Sequence, residues 1–389
     1  MKKVLLVYPH NFLQGAMGTN MRVMQIAWLL KELGCQIDQF GYENFQEGSS
    51  FHDFNAQNTN GLINNLFVYN FEDDKVYNNT LLRKGHRLSQ LLRGNYILSW
   101  VTPGVQNKFS QILENNKYDA ILTFYTYLAP LFQNREVQAK KIYFMEDSVF
   151  IQQHSIASQR AKQYITPGKL LDSDLALMQV FDQVFCISKD EQLFYQRLLD
   201  KPVGFLPHIM PVKQPLRKDI KDKKWDVFFI GFSNLFNEEG LHWFMEEVYP
   251  RLDKHLNILL AGSAAQIVKE PYDNIAVTNF VEDLDATYAD VKAVICPLFR
   301  GTGMKIKVVE AMAKGIPVVC TDRGVDGLPD KTLSGCLVTQ DPEEFAEFLN
   351  HLANDEEFYR KTSQQVESYY NTVFDREYYK GVLAKTLDS

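Results

Sequence analysis

Short apolar runs alternate along this chain with longer stretches whose apolar positions recur every three or four residues. Residues 4–8 read as a strand. Residues 19–33 read as a helix, with Val23, Ile26, Ala27 and Leu30 on one face and Gly34 as its stop. Further strands are predicted at 37–40, 118–123, 141–145 and 184–187, with helical segments between them. The alternation restarts after residue 225, with strands at 227–230, 258–260, 275–277, 293–296, 318–320 and 337–338. Asp341-Pro342-Glu343-Glu344 opens a late helix with a cap, a proline at its first position and acidic residues in its first turn. Residues 366–387 also read as helical. Between the halves, PHIMPVKQPLRKDIKDKKW is rich in proline and charge and lacks periodicity, which marks a linker. Strand–helix alternation of this kind predicts an α/β protein built from two Rossmann-like, doubly wound parallel sheets. The predicted divisions are 1–208, a linker at 209–225, 226–365 and a closing helical segment at 366–389. Ligand is expected in a cleft between the carboxyl ends of the two sheets.

Composition narrows the picture. The 389 residues suffice for two domains with separate cores, and 46% hydrophobic with 23% charged residues is ordinary for a globular protein. A net charge of −7 argues against nucleic acid as the main partner. The five cysteines are scattered and include no C-x-x-C pair, so they read as reduced core thiols of a cytoplasmic protein. The apolar run after Met1-Lys2-Lys3 is too short for a signal peptide, and no run is long enough for a membrane helix.

The stretch PLFRGTGMKIKVVEAMAKGIPVVCTDRGVDGL, residues 297–328, carries the chemistry. A turn rich in Pro and Gly leads into helix-forming residues 304–314, which stop at Gly315 before a β-branched strand at 317–321. Lys305 and Lys307 fall in the first turns of that helix, where cations oppose the helix dipole. An anion lying between loop and lysines removes the conflict. Gly301 and Gly303 lack a Cβ, so the N–H groups of Thr302, Gly303 and Met304 can approach that anion closely. Glu310 lies six residues beyond Met304, about 9 Å along a helix axis. That matches the reach from a diphosphate to the hydroxyls of its ribose. The segment reads as a nucleotide-diphosphate cradle, with Lys305 and Glu310 as catalytic candidates. The plain alternative is a surface ion pair between Lys307 and Glu310 beside an ordinary turn.

This ordered string resembles the nucleotide-sugar site of family 4-type glycosyltransferases with the GT-B fold. The branch it is most similar to follows P-L-x-x-G-x-G-x-K-x-K-x-x-E-A-M-A-x-G-x-P-V-V. Many such enzymes carry two glutamates eight positions apart; here Glu310 fills the second position and Thr302 occupies the first. The resemblance implies transfer of a hexosyl-type group from a nucleotide-diphosphate sugar to an acceptor hydroxyl, with retained configuration and neither metal nor cofactor. The setting it implies is bacterial-type glycan or glycoconjugate synthesis, with a glycan, lipid-linked or protein acceptor. It also implies that the last helix crosses back to the first domain. Thr302 motivates a rival, an inactive sugar-nucleotide- or glycan-binding subunit; a GT-B epimerase of nucleotide sugars is another.

Other features are weaker. The loop NFLQGAMGTNMR contains Gly15 and Gly18, a capping Thr19 or Asn20, and Arg22, a second cation in a first helical turn. The family resemblance places such a loop beside the donor phosphate, with Gly18 and Arg22 as contacts; the alternative is a solvated arginine. Gly231 and Ser233 occupy the equivalent turn of the second half, which has no Arg or Lys, leaving Lys305 and Lys307 to supply charge. Asp172-Ser173-Asp174 and Asp283-Leu284-Asp285 read as helix caps rather than metal ligands. Glu146-Asp147 follows the strand at 141–145, and an acid here, with Asp147 the candidate catalytic residue, faces sugar or acceptor, or else caps the next helix. Residues 81–100 hold Arg83, Lys84, Arg87 and Arg93 among leucines with no acidic residue. Such a helix either lies on an anionic membrane or packs its apolar stripe on the sheet.

Overall fold

In Lys3–Val7, four of the five residues are buried, which places this strand, β1, inside a sheet covered on both faces. The computed structural model describes residues 1–13, 18–45, 50–51, 54, 60–133, 136–159, 165–210, 218–269 and 272–389. Gly15, in the first loop, and residues 211–217 of the expected linker lie outside them. The chain divides into two compact units. Unit 1 comprises Met1–Pro207 with Glu377–Ser389, and unit 2 is His208–Arg376.

Unit 1 continues from β1 through α1 (Gly18–Glu32), β2 (Gln36–Glu43) and β3 (Asn65–Asn70). Helices α2 (Lys75–Asn78), α3 (Thr80–Leu92) and α4 (Pro103–Asn115) then precede β4 (Ala120–Thr123) and β5 (Lys140–Met145). Next come α5 (Val149–Gln159), α6 (Pro167–Met178), β6 (Gln183–Cys186), α7 (Lys189–Tyr195) and β7 (Val203–Phe205). The seven strands are all parallel, in the order β3-β2-β1-β4-β5-β6-β7. Val4 of β1 stands beside Ile37 of β2 and Ala120 of β4, so β1 is the strand from which the order runs outward in both directions.

Unit 2 repeats the plan with β8 (Trp225–Ile230), α8 (Leu235–Trp243), β9 (Ile258–Ala261), β10 (Ile275–Thr278) and α9 (Leu284–Ala289). It ends with β11 (Val291–Cys296), α10 (Ile306–Ala313), β12 (Val318–Cys320), β13 (Leu337–Val338), α11 (Pro342–Asn354) and α12 (Glu356–Val373). Its six parallel strands run β10-β9-β8-β11-β12-β13. The Asp341 carboxylate accepts from the amides of Glu343 and Glu344 at 2.9 and 3.0 Å, as a cap should. Val308, Val309 and Met312 of α10 are buried, each contributing roughly 1.5–3 kcal/mol relative to exposure.

The helical run at 366–387 is two helices. It breaks at Phe374, whose ring stacks on Tyr370 at 5.0 Å, after the β-branched, weakly helix-forming Thr372 and Val373. The second piece, α13 (Arg376–Asp388), joins unit 1. Lys2 bonds the Leu387 carbonyl and pairs with Asp388 at 2.9 Å, and Lys140 donates to the Thr386 carbonyl at 2.8 Å. All five cysteines are free; Cys35, Cys186, Cys296 and Cys320 are buried and Cys336 is half-buried.

Candidate active site

The strand order of unit 2 reverses beside β8, with β9 and β10 on one side and β11 onward on the other. Doubly wound sheets take ligands at the carboxyl ends of the strands at such a point. Two loops end there, 231–234 after β8 and 297–305 after β11. Helix α8 meets the second loop at backbone contact, since a Cβ on Gly240 would stand 2.1 Å from the Pro297 carbonyl oxygen. Gly301 and Gly303 have φ of 118° and 68°, values that L side chains rarely adopt. These two turns delay the helix, so α10 begins at Ile306 with Lys305 as its N-cap. Met304 is buried beneath the loop and Thr302 is half-buried in it.

Lys305 folds back under this loop. Its Nζ donates to the carbonyls of Thr302 and Gly303 at 3.0 and 3.1 Å, and the residue is 9% exposed. Lys307 donates to Asn237 Oδ1 at 3.0 Å and lies 4.5 Å from the centre of the Phe229 ring. Burial lowers its pKa, and the Lys305 charge pushes the same way. Neither lysine forms an ion pair with a described residue. Asn237 also donates to the Phe232 carbonyl at 2.9 Å, tying the turn after β8 to Lys307. In that turn Gly231 is buried and Ser233 is exposed, its hydroxyl bonded to Glu238.

Glu310 is 4% exposed. Its Oε2 accepts from the Tyr288 hydroxyl at 2.8 Å, while its Oε1 is buried without a hydrogen-bond partner. Burial raises its pKa to about 7, against the pull of Tyr288, Lys314 and Lys307. The i,i+3 surface pair is thereby replaced: Lys307 and Glu310 are directed to Asn237 and Tyr288. Neither partner was singled out in the sequence. Tyr288 lies on α9 with no spacing that links it to α10, and Asn237 lies three residues past Asn234, the cap of α8.

In unit 1, Gly18 is the first residue of α1. Arg22 departs from both sequence readings. It is 1% exposed, donates to the carbonyls of Leu206 and Pro207 and to Gln25 Oε1 at 3.0 Å, and pairs with Glu146 at 3.6 Å. It is neither solvated nor directed at a phosphate, because a buried carboxyl and the chain just after β7 hold it. Burial lifts the Glu146 pKa to about 8 despite Arg22. Asp147, half-buried, follows at the carboxyl end of β5.

The two D-x-D tripeptides differ. Asp283 is an N-cap, accepting from the Ala286 amide at 2.9 Å. Asp172 and Asp174 lie inside α6, which Thr166 caps, so the capping expectation fails there. Asp174 is fully buried and accepts from the Tyr195 hydroxyl at 2.9 Å, and burial raises its pKa to about 6. The packed alternative fails for α3, which ends at Leu92, whereas the segment after it does pack: Ile97 is 1% exposed, and Tyr96 and Trp100 lie against the core. No residue of α3 is buried, and Leu81, Leu88 and Leu92 are 79%, 57% and 80% exposed. No helix among the described residues is long and apolar enough to cross a membrane.

Comparison with known proteins identifies the fold. Residues 225–355 match the family Glycosyl transferases group 1. Over 279 residues, 63% of this chain and 68% of the relative, the sequence is 26% identical to an uncharacterized 44.6 kDa protein in the cps region of Klebsiella pneumoniae. Sucrose-phosphate synthase from Thermosynechococcus elongatus aligns over 99% of this chain and 98% of its own, with TM-score 0.69 and 16% identity. Anabaena HepE in complex with UDP-glucose aligns over 100% of both chains, with TM-score 0.68 and 15% identity. A variant of S. aureus TarM in complex with UDP gives TM-score 0.69 over 100% of both chains at 10% identity. At these identities the likeness is one of fold.

Proposed function

We propose that this chain, a glycosyltransferase of the GT-B fold whose residues 225–355 belong to Glycosyl transferases group 1, moves a sugar from a nucleotide-diphosphate sugar to an acceptor hydroxyl, with retained configuration and without metal or cofactor. One observation carries the donor assignment. Two lysines that form no ion pair with a described residue stand at the switch point of unit 2, Lys305 bonded to the left-handed glycine loop and Lys307 to Asn237. Burying unpaired ammonium groups is costly, and a diphosphate seated against them offsets that cost. Lys305 spends two of its three N–H groups on the loop, so it shapes the cradle and leaves one donor for phosphate. Glu310, whose buried Oε1 has no hydrogen-bond partner, suits a ribose hydroxyl.

In the reaction the bond from the anomeric carbon to the diphosphate oxygen breaks and a bond to the acceptor oxygen forms. The acceptor's proton leaves with a base, and the nucleoside diphosphate takes the electron pair. Lys305, Lys307 and the loop stabilise the charge that grows on it. Asp147 is the carboxylate offered to the acceptor. HepE bound to UDP-glucose and TarM bound to UDP support a uridine donor, and the cps-region relative supports glycan synthesis as the setting. The exposed leucines of α3, flanked by cations, support attachment to an anionic membrane face. The test is a panel of UDP-, GDP-, ADP- and CDP-sugars, read by thermal shift and by slow nucleoside diphosphate release without acceptor. The reading predicts stabilisation and release with one nucleotide series; stabilisation by none of them defeats it.

A further inference from the structure

Unit 1 contains a cavity of about 430 Å³ that none of the preceding roles uses. Its size falls in the range of small-molecule sites. Buried Phe45, Phe71 and Thr102 form its floor, and Tyr77 and Trp100 its walls. Phe45 stands two residues past the end of β2 and Phe71 directly follows β3, so the cavity opens at the carboxyl edge of the sheet, the edge where such folds bind ligands. The aromatic lining is preassembled. Trp100 stacks on Tyr127 at 4.5 Å and 16°, Phe45 meets Phe71 at 4.6 Å, and Phe71 meets Tyr77 at 4.9 Å. A ring or an apolar chain therefore finds a fixed platform with little ordering cost.

The mouth is cationic. Helix α3 brings Arg83, Lys84 and Arg87 to it, together with His86 and Gln90. Their spacing of one and four residues keeps the three cations within adjacent turns on one side of the helix. None of them forms an ion pair with a described residue, and residues 80–100 contain no Asp or Glu in a chain of net charge −7. Asp74, behind the floor, is already engaged: Oδ2 accepts from the Tyr69 hydroxyl at 2.7 Å and from Thr102, and Oδ1 accepts from the Tyr77 amide at 2.7 Å. Leu81 and Leu88 stand one turn to either side of Lys84, and Leu92 continues that stripe, so the exposed leucines adjoin the cations at the cavity mouth.

We infer that this cavity is an acceptor subsite for a phosphate or diphosphate group, with the adjoining sugar or lipid seated on Trp100. The inference rests on reading the chain as a transferase and adds the chemical class of its acceptor. Three cations suit the two or more charges of a diphosphate better than a single carboxylate, and arginines grip phosphate bidentately. The phosphate source is either a lipid-linked carrier or a free sugar phosphate.

Calorimetry on the full chain saturated with UDP, which occupies the donor cradle, tests the cavity alone. The probes are geranyl diphosphate, pyrophosphate, glucose 1-phosphate and glucuronate. Phosphate-bearing probes should bind and weaken with salt, and R83Q/R87Q should bind them at least about tenfold more weakly while UDP affinity stays unchanged. These exposed arginines can be replaced without disturbing the core, which melting curves verify. Preference for geranyl diphosphate, lost in Trp100→Ala, points to a lipid-linked source; preference for glucose 1-phosphate points to a soluble one. Glucuronate binding as tightly as the phosphates, or R83Q/R87Q behaving as wild type, overturns the inference. Failure of the wild type to bind UDP counts against the donor reading instead, and the dependence of the same anions on Arg83 and Arg87 still decides the cavity.

Discussion

Glu310 allows the donor assignment to be tested by counting protons. Its carboxyl titrates at about 7 rather than 4.5 because burial disfavours the charge, and Oε1 has no partner. A ribose hydroxyl donating to Oε1 stabilises the ionised form, so a bound nucleotide should pull the pKa down. At pH 7 half of the unliganded protein carries this proton, so binding should release about half a proton; at pH 9 it should release none. The same linkage makes affinity fall with pH. At pH 6 only about one molecule in eleven is ionised, which weakens apparent binding roughly tenfold relative to pH 9. Titrating UDP in two buffers of different ionisation enthalpy measures the release. The nucleotide's terminal phosphate itself titrates near about pH 6, so the informative quantity is the difference between wild type and Glu310→Gln. Identical proton counts and pH profiles for the two proteins would falsify the ribose contact. Equal losses for UDP and 2′-deoxy-UDP in Glu310→Gln would also place Glu310 elsewhere.

The unliganded variant carries a stability signature of opposite sense. An acid whose folded pKa is raised loses stability as pH climbs from about 4.5 to 7, so Glu310→Gln should gain on wild type by up to about 3 kcal/mol at pH 8 and lose that advantage at pH 5, read as Tm. Lys305→Ala and Lys307→Ala should each weaken donor binding ten- to a hundredfold, about 1.5–3 kcal/mol; two variants binding like wild type by calorimetry would remove the cradle. Transfer should persist in EDTA, and a strict Mn²⁺ or Mg²⁺ requirement would contradict the proposed metal-free donor site. Leu88→Gln with Leu92→Gln should abolish co-sedimentation with phosphatidylglycerol vesicles and leave UDP binding intact; undiminished sedimentation would show that α3 is not the contact.

All six strands of unit 2 were legible, because each contains a short apolar run bounded by turn residues. β3 and β7 were not. NLFVYN is half-buried along its length and VGF is three residues long, so neither carries a clear period. The lysine and glycine string put the start of α10 too early, at Met304 rather than Ile306, since propensity does not register two left-handed glycines before it. Arg22 shows a deeper limit. Dipole reasoning saw an unbalanced cation, yet its partners Glu146, Leu206 and Pro207 come from distant strands that only folding assembles. Asp174 failed for the same reason, its partner Tyr195 lying on another helix. The cavity of unit 1 draws on residues from Phe45 to Thr102 whose common address is spatial, so no local motif announces it.

The place of α13 has a consequence for the order in which the protein matures. Unit 1 begins at the first residue, but Leu383 and the carbonyls that receive Lys2 and Lys140 are translated only after all of unit 2. On the ribosome the first sheet therefore waits, with an apolar strip uncovered, while the second folds and completes itself. A nascent chain stalled before residue 377 holds all of unit 2 and lacks the last helix of unit 1. Quality-control factors that sense exposed apolar surface would thus meet the defect at the end of the chain made first.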